Sequence, residues 1–512
     1  MNVFDALFPR GADLQWEFLR TDDDRCLRYQ DALEQSAQLA HSLQAHGVAP
    51  GDRVAVQVEK SPEAILLYLA TLRLGAVYLP LNTAYTAAEL EYFLGDSEPA
   101  LFVCAPDRLA ALEPLASRLR VPAVATLGTR TEGTLIERAR AQPRTWEPVP
   151  REDDELAAIL YTSGTTGRSK GAMLTQRNLI ANARTLATHW RFVPEDVLLH
   201  ALPIFHIHGL FVAINVTLAA GSSLRLLPKF DPELVLQQLP LVTLMMGVPT
   251  FYVRLLKSAR LDRQTTARCR VFISGSAPLL AETHHEWFAR TGHRLLERYG
   301  MSETGMNTSN PYDGERVPGS VGPALPDVEL RVVEPTSGQP LPIGEIGLIE
   351  VRGPNVFAGY WRQPEKTRAE FRPDGFFMTG DLGRLDERGY LYIVGRAKDL
   401  VISGGYNVYP KEVEEAIDRL PGVIESAVFG VPHPDFGEGV TAAIVCASDT
   451  QSGSEAQLLQ ALRARLAAYK LPKRLFFVAA LPRNSMGKVE KKRLRELYAD
   501  TYRTDGNGRS VT

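Results

Sequence analysis

The sequence predicts an α/β protein with a large N-terminal domain of layered sheets and helices, a small β region and a smaller α+β C-terminal domain. A chain of 512 residues is too long for one hydrophobic core, which indicates at least two domains. In the N-terminal part, short apolar runs alternate with stretches of helical spacing, as in parallel or mixed sheets covered by helices. We place the domain boundary between residues 397 and 398, so that the domains span residues 1–397 and 398–512.

The individual elements follow from the spacing of their apolar residues. This spacing predicts helices at residues 33–43 and 62–74, and strands at residues 54–58, 101–104, 156–160, 241–248 and 271–274. Turn residues punctuate residues 328–351, which indicates the small β region. In the C-terminal domain we expect helices at 410–420, 455–468 and 489–498, strands at 423–431, 439–446 and 475–479, and a disordered polar tail at 504–512.

Composition and charge exclude several classes of protein. The hydrophobic content of 45% is ordinary for a soluble globular protein, and a net charge of −3 gives no basic surface for nucleic acid. The four cysteines are far apart without CxxC spacing, so we expect reduced thiols and no disulfide framework. No secretory signal is visible, and histidines and an asparagine interrupt the most apolar stretch, residues 201–221. We therefore expect a cytoplasmic protein with no membrane partner.

The most informative segment is YTSGTTGRSKG, residues 161–171, which begins at the end of a predicted strand. Glycines let backbone N–H groups turn toward an anion, the hydroxyl side chains add donors, and Lys170 adds positive charge. The segment is not a Walker loop, because Ser169 precedes the lysine and Gly171 follows it, where GxxxxGK[ST] has a glycine and a hydroxyl. These residues predict a polyphosphate site of another kind, and ATP fits it.

This segment resembles the phosphate loop of the acyl-adenylate-forming enzymes, a superfamily of acyl-CoA synthetases, peptide-synthetase adenylation domains and beetle luciferases. One position differs, since Ser169 stands where the family usually has proline. The resemblance implies ATP as a co-substrate, Mg²⁺ as its metal ion, and nucleotide contacts from Thr162, Ser163, Gly164, Thr165, Thr166, Gly167 and Lys170. It also implies that Thr162 lies at the metal.

Further segments resemble motifs of this family in the same order along the chain. Residues 203–209 resemble PxFHxxG, which implies that His206 lies beside the acyl pocket. Residues 299–305 resemble YGxTE, whose roles are adenine stacking, an α-phosphate hydrogen bond and a Mg²⁺ carboxylate, carried here by Tyr299, Ser302 and Glu303. The resemblance completes the nucleotide site with Ser276, Ala277, Glu297, Gly300 and Met301.

The C-terminal motifs of the family are present as well. The TGD segment implies that Asp381 accepts hydrogen bonds from the ribose hydroxyls. The next motif assigns Arg396 to the ribose or a phosphate and Lys398 to the hinge between the domains. The resemblance assigns the loop that lines the CoA tunnel to Ser403, Gly404, Gly405 and Tyr406. The last motif ends in Lys488, the lysine that reaches the adenylation site in this family.

In this family a carboxylate attacks the α-phosphorus of ATP, and CoA then displaces AMP from the acyl-adenylate. Two anions repel, so positive charge from Lys488 and from Mg²⁺ on Glu303 must offset the charge that builds in the first step. We expect Lys488, His206 and Glu303 to be the catalytic residues. The family rotates its C-terminal domain between the steps, which implies a mobile domain that pivots at Lys398. An accessible Lys488 makes a lysine acetyltransferase and a deacylase candidate partners.

The acid is indicated by a closer resemblance to the malonyl-CoA synthetases, in residues 246–254, 297–301 and 306–312. A dicarboxylate needs a cation for its second carboxylate, and arginine binds carboxylates bidentately. This requirement and the resemblance assign the second carboxylate of malonate to Arg298, Arg254, His206 and Ser276. Methylmalonate would also fit, because one methyl group changes binding by only about 1–3 kcal/mol.

Three other functions stay open at this point. An acyl pocket without arginine would favour a short- or medium-chain monocarboxylate–CoA ligase. A carrier-like segment would favour an adenylating enzyme that loads a carrier protein, but none is recognisable after Lys488. A binding protein without catalysis is disfavoured because the charged motif residues are all present, namely Lys170, Glu303, Asp381, Arg396 and Lys488.

Overall fold

The computed structural model confirms the mixed α/β class and describes residues 1–162, 169–404, 406–447, 455–463, 465–484 and 488–502. Its contacts divide the chain into two compact units. The first unit consists of Met1–Leu330, Val351–Phe377 and Gly389–Leu391, and the second takes Arg331–Glu350, Met378–Arg388 and the described residues from Tyr392 onward. The boundary that we place between residues 397 and 398 stays a prediction, and the tail at 504–512 lies outside the described residues.

The elements predicted from apolar spacing in the N-terminal part are present, with ends shifted by a few residues. The helices of this part are α1 (Val3–Leu7), α2 (Tyr29–Ala45), α3 (Pro62–Arg73), α4 (Ala87–Ser97), α5 (Leu109–Arg118), α6 (Thr134–Ala139), α7 (Gln176–His189), α8 (Asn215–Ala220), α9 (Pro232–Gln238), α10 (Pro249–Leu256) and α11 (Ala281–Thr291). The strands are β1 (Glu17–Thr21), β2 (Cys26–Arg28), β3 (Arg53–Gln57), β4 (Val77–Pro80), β5 (Leu101–Cys104), β6 (Ala123–Thr126), β7 (Leu156–Thr162), β8 (Lys170–Thr175), β9 (Val197–His200), β10 (Ser223–Leu226), β11 (Leu244–Gly247), β12 (Val271–Ser274), β13 (Leu296–Met301) and β14 (Gly305–Ser309).

The remaining elements include the predicted small β region. The strands are β15 (Glu329–Val333), β16 (Gly347–Arg352), β17 (Gly359–Tyr360), β18 (Phe377–Leu385), β19 (Leu391–Arg396), β20 (Val401–Ser403), β21 (Tyr406–Val408), β22 (Val423–His433), β23 (Gly437–Cys446) and β24 (Arg474–Phe477). The helices are α12 (Pro364–Glu370), α13 (Pro410–Asp418), α14 (Glu455–Arg463) and α15 (Lys491–Leu497). Helix α14 is shorter than the helix predicted at 455–468. Among the described residues, no helix is both long and apolar enough to cross a bilayer.

Two large sheets organise the first unit. One has the strand order β14-β13-β12-β11-β9-β10-β1-β2 and is parallel from β1 to β13, with an antiparallel strand at each edge. The other has the order β17-β8-β7-β4-β3-β5-β6 and is parallel from β7 to β6. Parallel strands end at the same edge of a sheet, where ligands usually bind. The loops after β7, β12 and β13, which carry the predicted motifs, therefore follow strand ends of this kind.

Helix α3 lies at the centre of the first unit, and every one of its residues is buried. Tyr68 of this helix packs against Tyr78 of β4 and against Phe211, and its hydroxyl donates to Asn215 at 2.9 Å. A helix that is buried along its whole length must be covered on all sides. It thereby ties the second sheet to the apolar stretch at residues 201–221, most of which is buried.

The C-terminal part of the second unit is a sheet of order β21-β20-β23-β22, with β24 beside β23. Neighbouring residues of β22 point to opposite faces, because strands alternate their side chains. Val428 belongs to the apolar cluster of α13 and α14 with Ile417 and Leu462. Phe429 belongs to the cluster of α15 with Leu494. Helices thus cover both faces of this sheet.

A largely buried ion pair joins the residues that directly precede β9 and β12 in the first unit. Arg270 places Nε 2.9 Å from Oδ1 and Nη2 2.5 Å from Oδ2 of Asp196, which is 3% exposed. The Thr243 hydroxyl also donates to Asp196, at 2.7 Å. Removing one partner of a buried ion pair leaves the other charge uncompensated.

We expect Asp196→Asn to lower the free energy of unfolding by about 3 kcal/mol for this reason. All five tryptophans lie in the first unit, so their fluorescence during urea unfolding reports on it. The control is Glu233→Gln, which removes an exposed ion pair with Arg260 and should cost less than about 1 kcal/mol. Equal effects of the two substitutions would contradict the prediction.

Candidate active site

Strands β7 and β8 bring together the two ends of the predicted phosphate loop. They pair antiparallel, with Thr162 opposite Lys170. The loop therefore joins two strands of a hairpin, whereas a Walker loop joins a strand to a helix. This agrees with the sequence argument against a Walker loop. The other predicted contacts lie outside the described residues, namely Ser163, Gly164, Thr165, Thr166 and Gly167.

Lys170 is buried, with 6% of its surface exposed, beside an acid and an aromatic ring. Its Nζ lies 3.1 Å from Oε1 of Glu370 and 4.6 Å from the ring centroid of Tyr360. Tyr360 is opposite Ala172 in the pairing of β17 with β8. Residues two apart on a strand share a face, so Lys170 meets the Tyr360 ring diagonally across the pair.

Glu303 lies in the turn between β13 and β14, close to Thr162. Its Oε1 accepts from the Tyr360 hydroxyl at 3.2 Å and from the Thr162 hydroxyl at 3.4 Å. Burial, together with the carboxylates of Glu303 and Glu370, raises the pKa of Tyr360, so its hydroxyl keeps its proton. The two residues predicted to be at the metal are thus neighbours.

A carboxylate and a hydroxyl this close suit Mg²⁺, which binds one or two carboxylates together with phosphate oxygens. In the described part of the chain there is no group of three or more His, Cys, Asp or Glu side chains that could hold a metal ion. Glu303 and Thr162 would therefore share the ion with the phosphates of a nucleotide.

Arg298 on β13 is a buried cation, only 2% exposed. Its Nη2 donates to the Ser276 hydroxyl at 3.4 Å, whereas Nε and Nη1 have no acceptor among the described residues. Burial lowers the pKa of Arg298 to about 9, which leaves the guanidinium charged at neutral pH. A buried charge without a counter-ion is costly. The site therefore favours an anion beside Arg298.

The loop after β12 is shaped to fit this guanidinium. A Cβ atom on Gly275 would lie 2.5 Å from the Arg298 Cζ, so only glycine leaves enough room. Ser276 has a φ of +73°, a conformation that residues with side chains rarely adopt and that is common at functional sites. Ala277 follows, partly exposed.

His208 completes the cluster, with its Nδ1 3.4 Å from the Ser276 hydroxyl oxygen. Burial in the first place, and then the nearby Arg298, hold the pKa of His208 well below its usual value, so the ring is neutral. Its Nε2 has no partner in the described structure. His208 starts the π-helix His208–Ile214, a rare form that is frequent at functional sites. The sequence analysis missed this residue, and its one signal there was its place two residues after His206.

His206 and Arg254 have other surroundings. His206 is partly exposed, and its Nδ1 accepts from the backbone N–H of His208 at 3.3 Å. Arg254 is exposed on α10, where its guanidinium lies 5.0 Å from the ring centroid of Phe230. These contacts do not test the predicted roles of the two residues at the acyl group, which stay predictions.

The hairpin of β13 and β14 holds the other predicted nucleotide residues. The buried ones are Glu297 and Tyr299, and the partly exposed ones at its end are Gly300, Met301 and Ser302. A Cβ atom on Gly300 would lie 2.0 Å from the Gly305 carbonyl oxygen, so the close approach of the strands requires glycine. Glu297 accepts from the Gly319 N–H at 3.3 Å.

In the second unit, the structure pairs the two residues predicted to contact the ribose. Nε of Arg396 lies 2.6 Å from Oδ1 of the buried Asp381, whose N–H donates to the Thr379 hydroxyl oxygen at 3.1 Å. Lys398, the predicted hinge residue, is exposed on the short 3₁₀ turn Ala397–Asp399. Any ribose at Asp381 would share this carboxylate with Arg396.

Lys488 lies shortly before α15, and its backbone contacts Asn484. Its N–H donates to Oδ1 of Asn484 at 3.0 Å, and its carbonyl accepts from the Asn484 N–H at 2.9 Å. The residue is exposed. Two hydrogen bonds with Asn484 therefore hold the backbone of Lys488, while its side chain lies at the surface of the second unit.

The predicted CoA loop has aromatic and basic neighbours. Its described residues are Ser403, Gly404 and Tyr406, and Gly405 lies outside the described residues. The exposed Tyr406 ring lies 4.8 Å from that of Tyr469, beside Lys470. Lys473 lies 4.4 Å from the ring centroid of Phe436. Exposed rings with lysines beside them suit the adenine and the phosphates of a nucleotide.

Comparisons with known proteins show the family of this chain. Residues 12–361 match the family model of the AMP-binding enzymes, and residues 412–488 match that of the AMP-binding enzyme C-terminal domain. The ATP-bound structure of MatB from Rhodopseudomonas palustris superposes with a TM-score of 0.96 at 57% identity, covering 98% of this chain and 99% of that chain.

Two curated relatives are similar over most of their length. The mitochondrial malonate–CoA ligase ACSF3 of Mus musculus is 36% identical over 521 residues, which cover 93% of this chain and 88% of that protein. The sulfoacetate–CoA ligase of Cupriavidus necator is 36% identical over 504 residues, which cover 96% of this chain and 98% of that protein. The chain therefore belongs to the AMP-binding enzyme family and is an AMP-forming acyl-CoA synthetase that uses ATP and CoA.

Proposed function

We propose that this enzyme is a malonate–CoA ligase, which converts malonate, ATP and CoA to malonyl-CoA, AMP and pyrophosphate through malonyl-adenylate. The observation that carries the proposal is the buried charge of Arg298, two of whose nitrogen atoms have no acceptor in the described structure. The second carboxylate of malonate supplies a counter-ion. An apolar acyl chain in its place would leave the guanidinium buried and uncompensated.

Three side chains are close enough together to hold that carboxylate. Arg298 and Ser276 donate from Nη2 and from the hydroxyl, and they already lie 3.4 Å apart. The neutral His208 adds a ring nitrogen on the other side of Ser276. Charge-assisted hydrogen bonds from a guanidinium are among the stronger ones in proteins, so this cluster favours an anionic group over a neutral one.

Two of the curated relatives support an acid with two negative groups. The name of mouse ACSF3 supports malonate, and the name of the Cupriavidus protein supports sulfoacetate as the second candidate. Sulfoacetate carries a sulfonate where malonate has its second carboxylate, so it would satisfy the same cation. Methylmalonate differs from malonate by one methyl group and is a third candidate acid.

In the first step, a carboxylate oxygen of malonate attacks the α-phosphorus, and the bond from that phosphorus to the bridging oxygen of pyrophosphate breaks. The cluster of Arg298, Ser276 and His208 orients malonate for this attack by holding its other carboxylate. We assign to Lys170 and Lys488 the compensation of phosphate charge. Glu303 and Thr162 would hold Mg²⁺, which supplies further positive charge at the phosphates.

In the second step, the CoA thiolate attacks the carbonyl carbon of malonyl-adenylate, and the bond from that carbon to AMP breaks. We assign the CoA loop at 403–406 to the pantetheine arm, and Tyr406 with its aromatic and basic neighbours to the CoA nucleotide. Lys398 stays our proposed hinge between the steps. The exposure of Lys488 supports the proposal that a lysine acetyltransferase and a deacylase act on it.

The acid specificity decides the proposal. We expect pyrophosphate release with ATP, Mg²⁺ and CoA to be fastest with malonate among acetate, propionate, malonate, methylmalonate, succinate, sulfoacetate and octanoate. A preference for acetate, propionate or octanoate would refute malonate and favour a monocarboxylate ligase. Faster turnover with sulfoacetate would keep the Arg298 site and change the acid.

Arg298→Ala should lower kcat/KM for malonate by about 100-fold or more and leave the ATP KM within about threefold, because the second carboxylate loses its cation. Steady-state kinetics with each substrate varied in turn measure both effects. Arg254→Ala is the companion variant, and an equal loss there would bring Arg254 into the same site. Unchanged malonate kinetics in Arg298→Ala would remove Arg298 from the pocket.

Gly275→Ala should raise the malonate KM by about tenfold, since its Cβ would push the Arg298 guanidinium out of place. The matched control is Gly95→Ala on α4, where the nearest side-chain atom to a new Cβ lies 3.8 Å away. Gly95→Ala should leave the malonate KM unchanged. A normal malonate KM in Gly275→Ala would show that Arg298 moves without loss of function.

Lys488→Ala should reduce malonate-dependent pyrophosphate release by about 100-fold or more, and it should retain thioester formation from supplied malonyl-adenylate. The two half-reactions are measured separately. Lys492→Ala is the control, because Lys492 is exposed on α15 and pairs with Glu496 of the same helix. Equal losses in both half-reactions of Lys488→Ala would contradict its assignment to adenylation.

A further inference from the structure

Glu370, the last residue of α12, has a carboxylate that three donors hold in place. Its Oε1 lies 3.1 Å from Nζ of Lys170 and 2.9 Å from Nζ of Lys366. Its Oε2 accepts from the Tyr360 hydroxyl at 2.6 Å. Lys170 and Tyr360 are on the adjacent strands β8 and β17, so this one carboxylate ties α12 to both strands.

Hydrogen bonds donated by two backbone N–H groups keep α12, β17 and β8 in register. The Tyr360 N–H donates to the Thr367 hydroxyl oxygen at 2.9 Å, which fastens α12 beside β17. The Trp361 N–H donates to the Gly171 carbonyl at 2.8 Å, which fastens the same segment to β8. Two hydrogen bonds from main-chain donors therefore help to set the position of Glu370 relative to Lys170, in addition to the contacts of its own side chain.

Lys170 keeps capacity for a ligand while Glu370 holds it. An ammonium group has three N–H donors, and the Glu370 carboxylate needs only one of them. A free lysine side chain loses up to about 2 kcal/mol of rotamer entropy when it is immobilised. Glu370 and the Tyr360 ring immobilise Lys170 beforehand, so a phosphate that binds it meets a preorganised cation.

The Tyr360 hydroxyl extends this arrangement to Glu303. It lies 2.6 Å from Oε2 of Glu370 and 3.2 Å from Oε1 of Glu303. A hydroxyl has a single proton, and the shorter distance gives most of it to Glu370. Glu303 therefore keeps more of its negative charge available for a cation. The Tyr360 hydroxyl, which contacts both carboxylates, also fixes the distance between Glu303 and Glu370.

We infer that Glu370 is a positioning residue of the ATP site, which holds Lys170 for the phosphates and, through Tyr360, sets Glu303 for the metal ion. The inference rests on the proposed function only where that function assigns Lys170 and Glu303 to Mg²⁺–ATP. It does not depend on which acid the enzyme activates. Glu370 acts on the nucleotide through other residues and is not itself assigned to the chemistry.

The test is ATP–pyrophosphate exchange in Glu370→Gln at a saturating concentration of the preferred acid. The ATP KM should rise about tenfold or more, because Lys170 loses its counter-ion and its fixed position. The KM of the acid and the rate of thioester formation from supplied acyl-adenylate should each stay within about threefold. Lys366→Gln is the matched control, since it removes the more exposed partner of Glu370 and should leave the ATP KM within about twofold.

A double variant shows whether Glu370 acts through Lys170. Glu370→Gln combined with Lys170→Gln should lose clearly less than the sum of the two single losses, because coupled residues lose the same interaction. Additive losses, an unchanged ATP KM or a lowered ATP KM in Glu370→Gln would each overturn the inference. The lowered value would mean that Glu370 competes with the phosphates.

Tyr360→Phe tests the inferred link from Glu370 through Tyr360 to Glu303. It can be measured even if Glu370→Gln does not fold. It keeps the ring beside Lys170 and removes the hydroxyl between the two carboxylates, so the Mg²⁺ concentration for half-maximal rate should rise about threefold or more. An unchanged Mg²⁺ requirement would overturn the link to Glu303. A preference for an acid other than malonate would refute the proposed acid. It would not change what these outcomes say about Glu370, because they concern the binding of ATP and Mg²⁺.

Discussion

The proposed preference for malonate depends on one electrostatic constraint, the burial of the Arg298 guanidinium without an acceptor for two of its nitrogen atoms in the described structure. The surrounding chain accommodates it at some cost. Gly275 has no side chain where one would collide with the guanidinium, and Ser276 adopts an unusual backbone conformation beside it. Such costs are expected where a ligand completes the electrostatics, since the bound anion offsets a desolvation penalty that the free protein bears.

The residues that we assign to the nucleotide differ from Arg298 in how their charges are balanced. Lys170 is paired with Glu370, and Arg396 is paired with Asp381, so these cations have counter-ions before any ligand arrives. ATP brings its own metal ion, which offsets much of its charge. A site for Mg²⁺–ATP therefore needs ordered donors more than net positive charge. The proposed acid has no metal ion of its own, and its second carboxylate calls for a cation such as Arg298, two of whose nitrogen atoms lack an acceptor among the described residues.

Much of the proposed site was predictable because its motifs are local in the sequence. The glycine and hydroxyl pattern before Lys170 pointed to a polyphosphate, and the family resemblance placed Thr162 and Glu303 together, as they are found. Arg298 followed from the chemistry of a second carboxylate. His208 and Glu370 were missed. His208 looks like any core histidine in an apolar run, and Glu370 is a charged residue in an ordinary helical segment 200 positions from Lys170.

The sequence by itself determined the fold class, the family and the reaction type. The apolar spacing of strands and helices and the phosphate-binding loop each depend on residues that are close together in the chain. Only the tertiary structure decided which charges are paired and which are buried alone. Arg298 and Arg254 are the same type of residue in the sequence. In the structure, however, Arg298 is buried on a strand and Arg254 is exposed on a helix. Burial and ion pairing arise where elements far apart in the chain pack together, and local spacing carries no information about that packing.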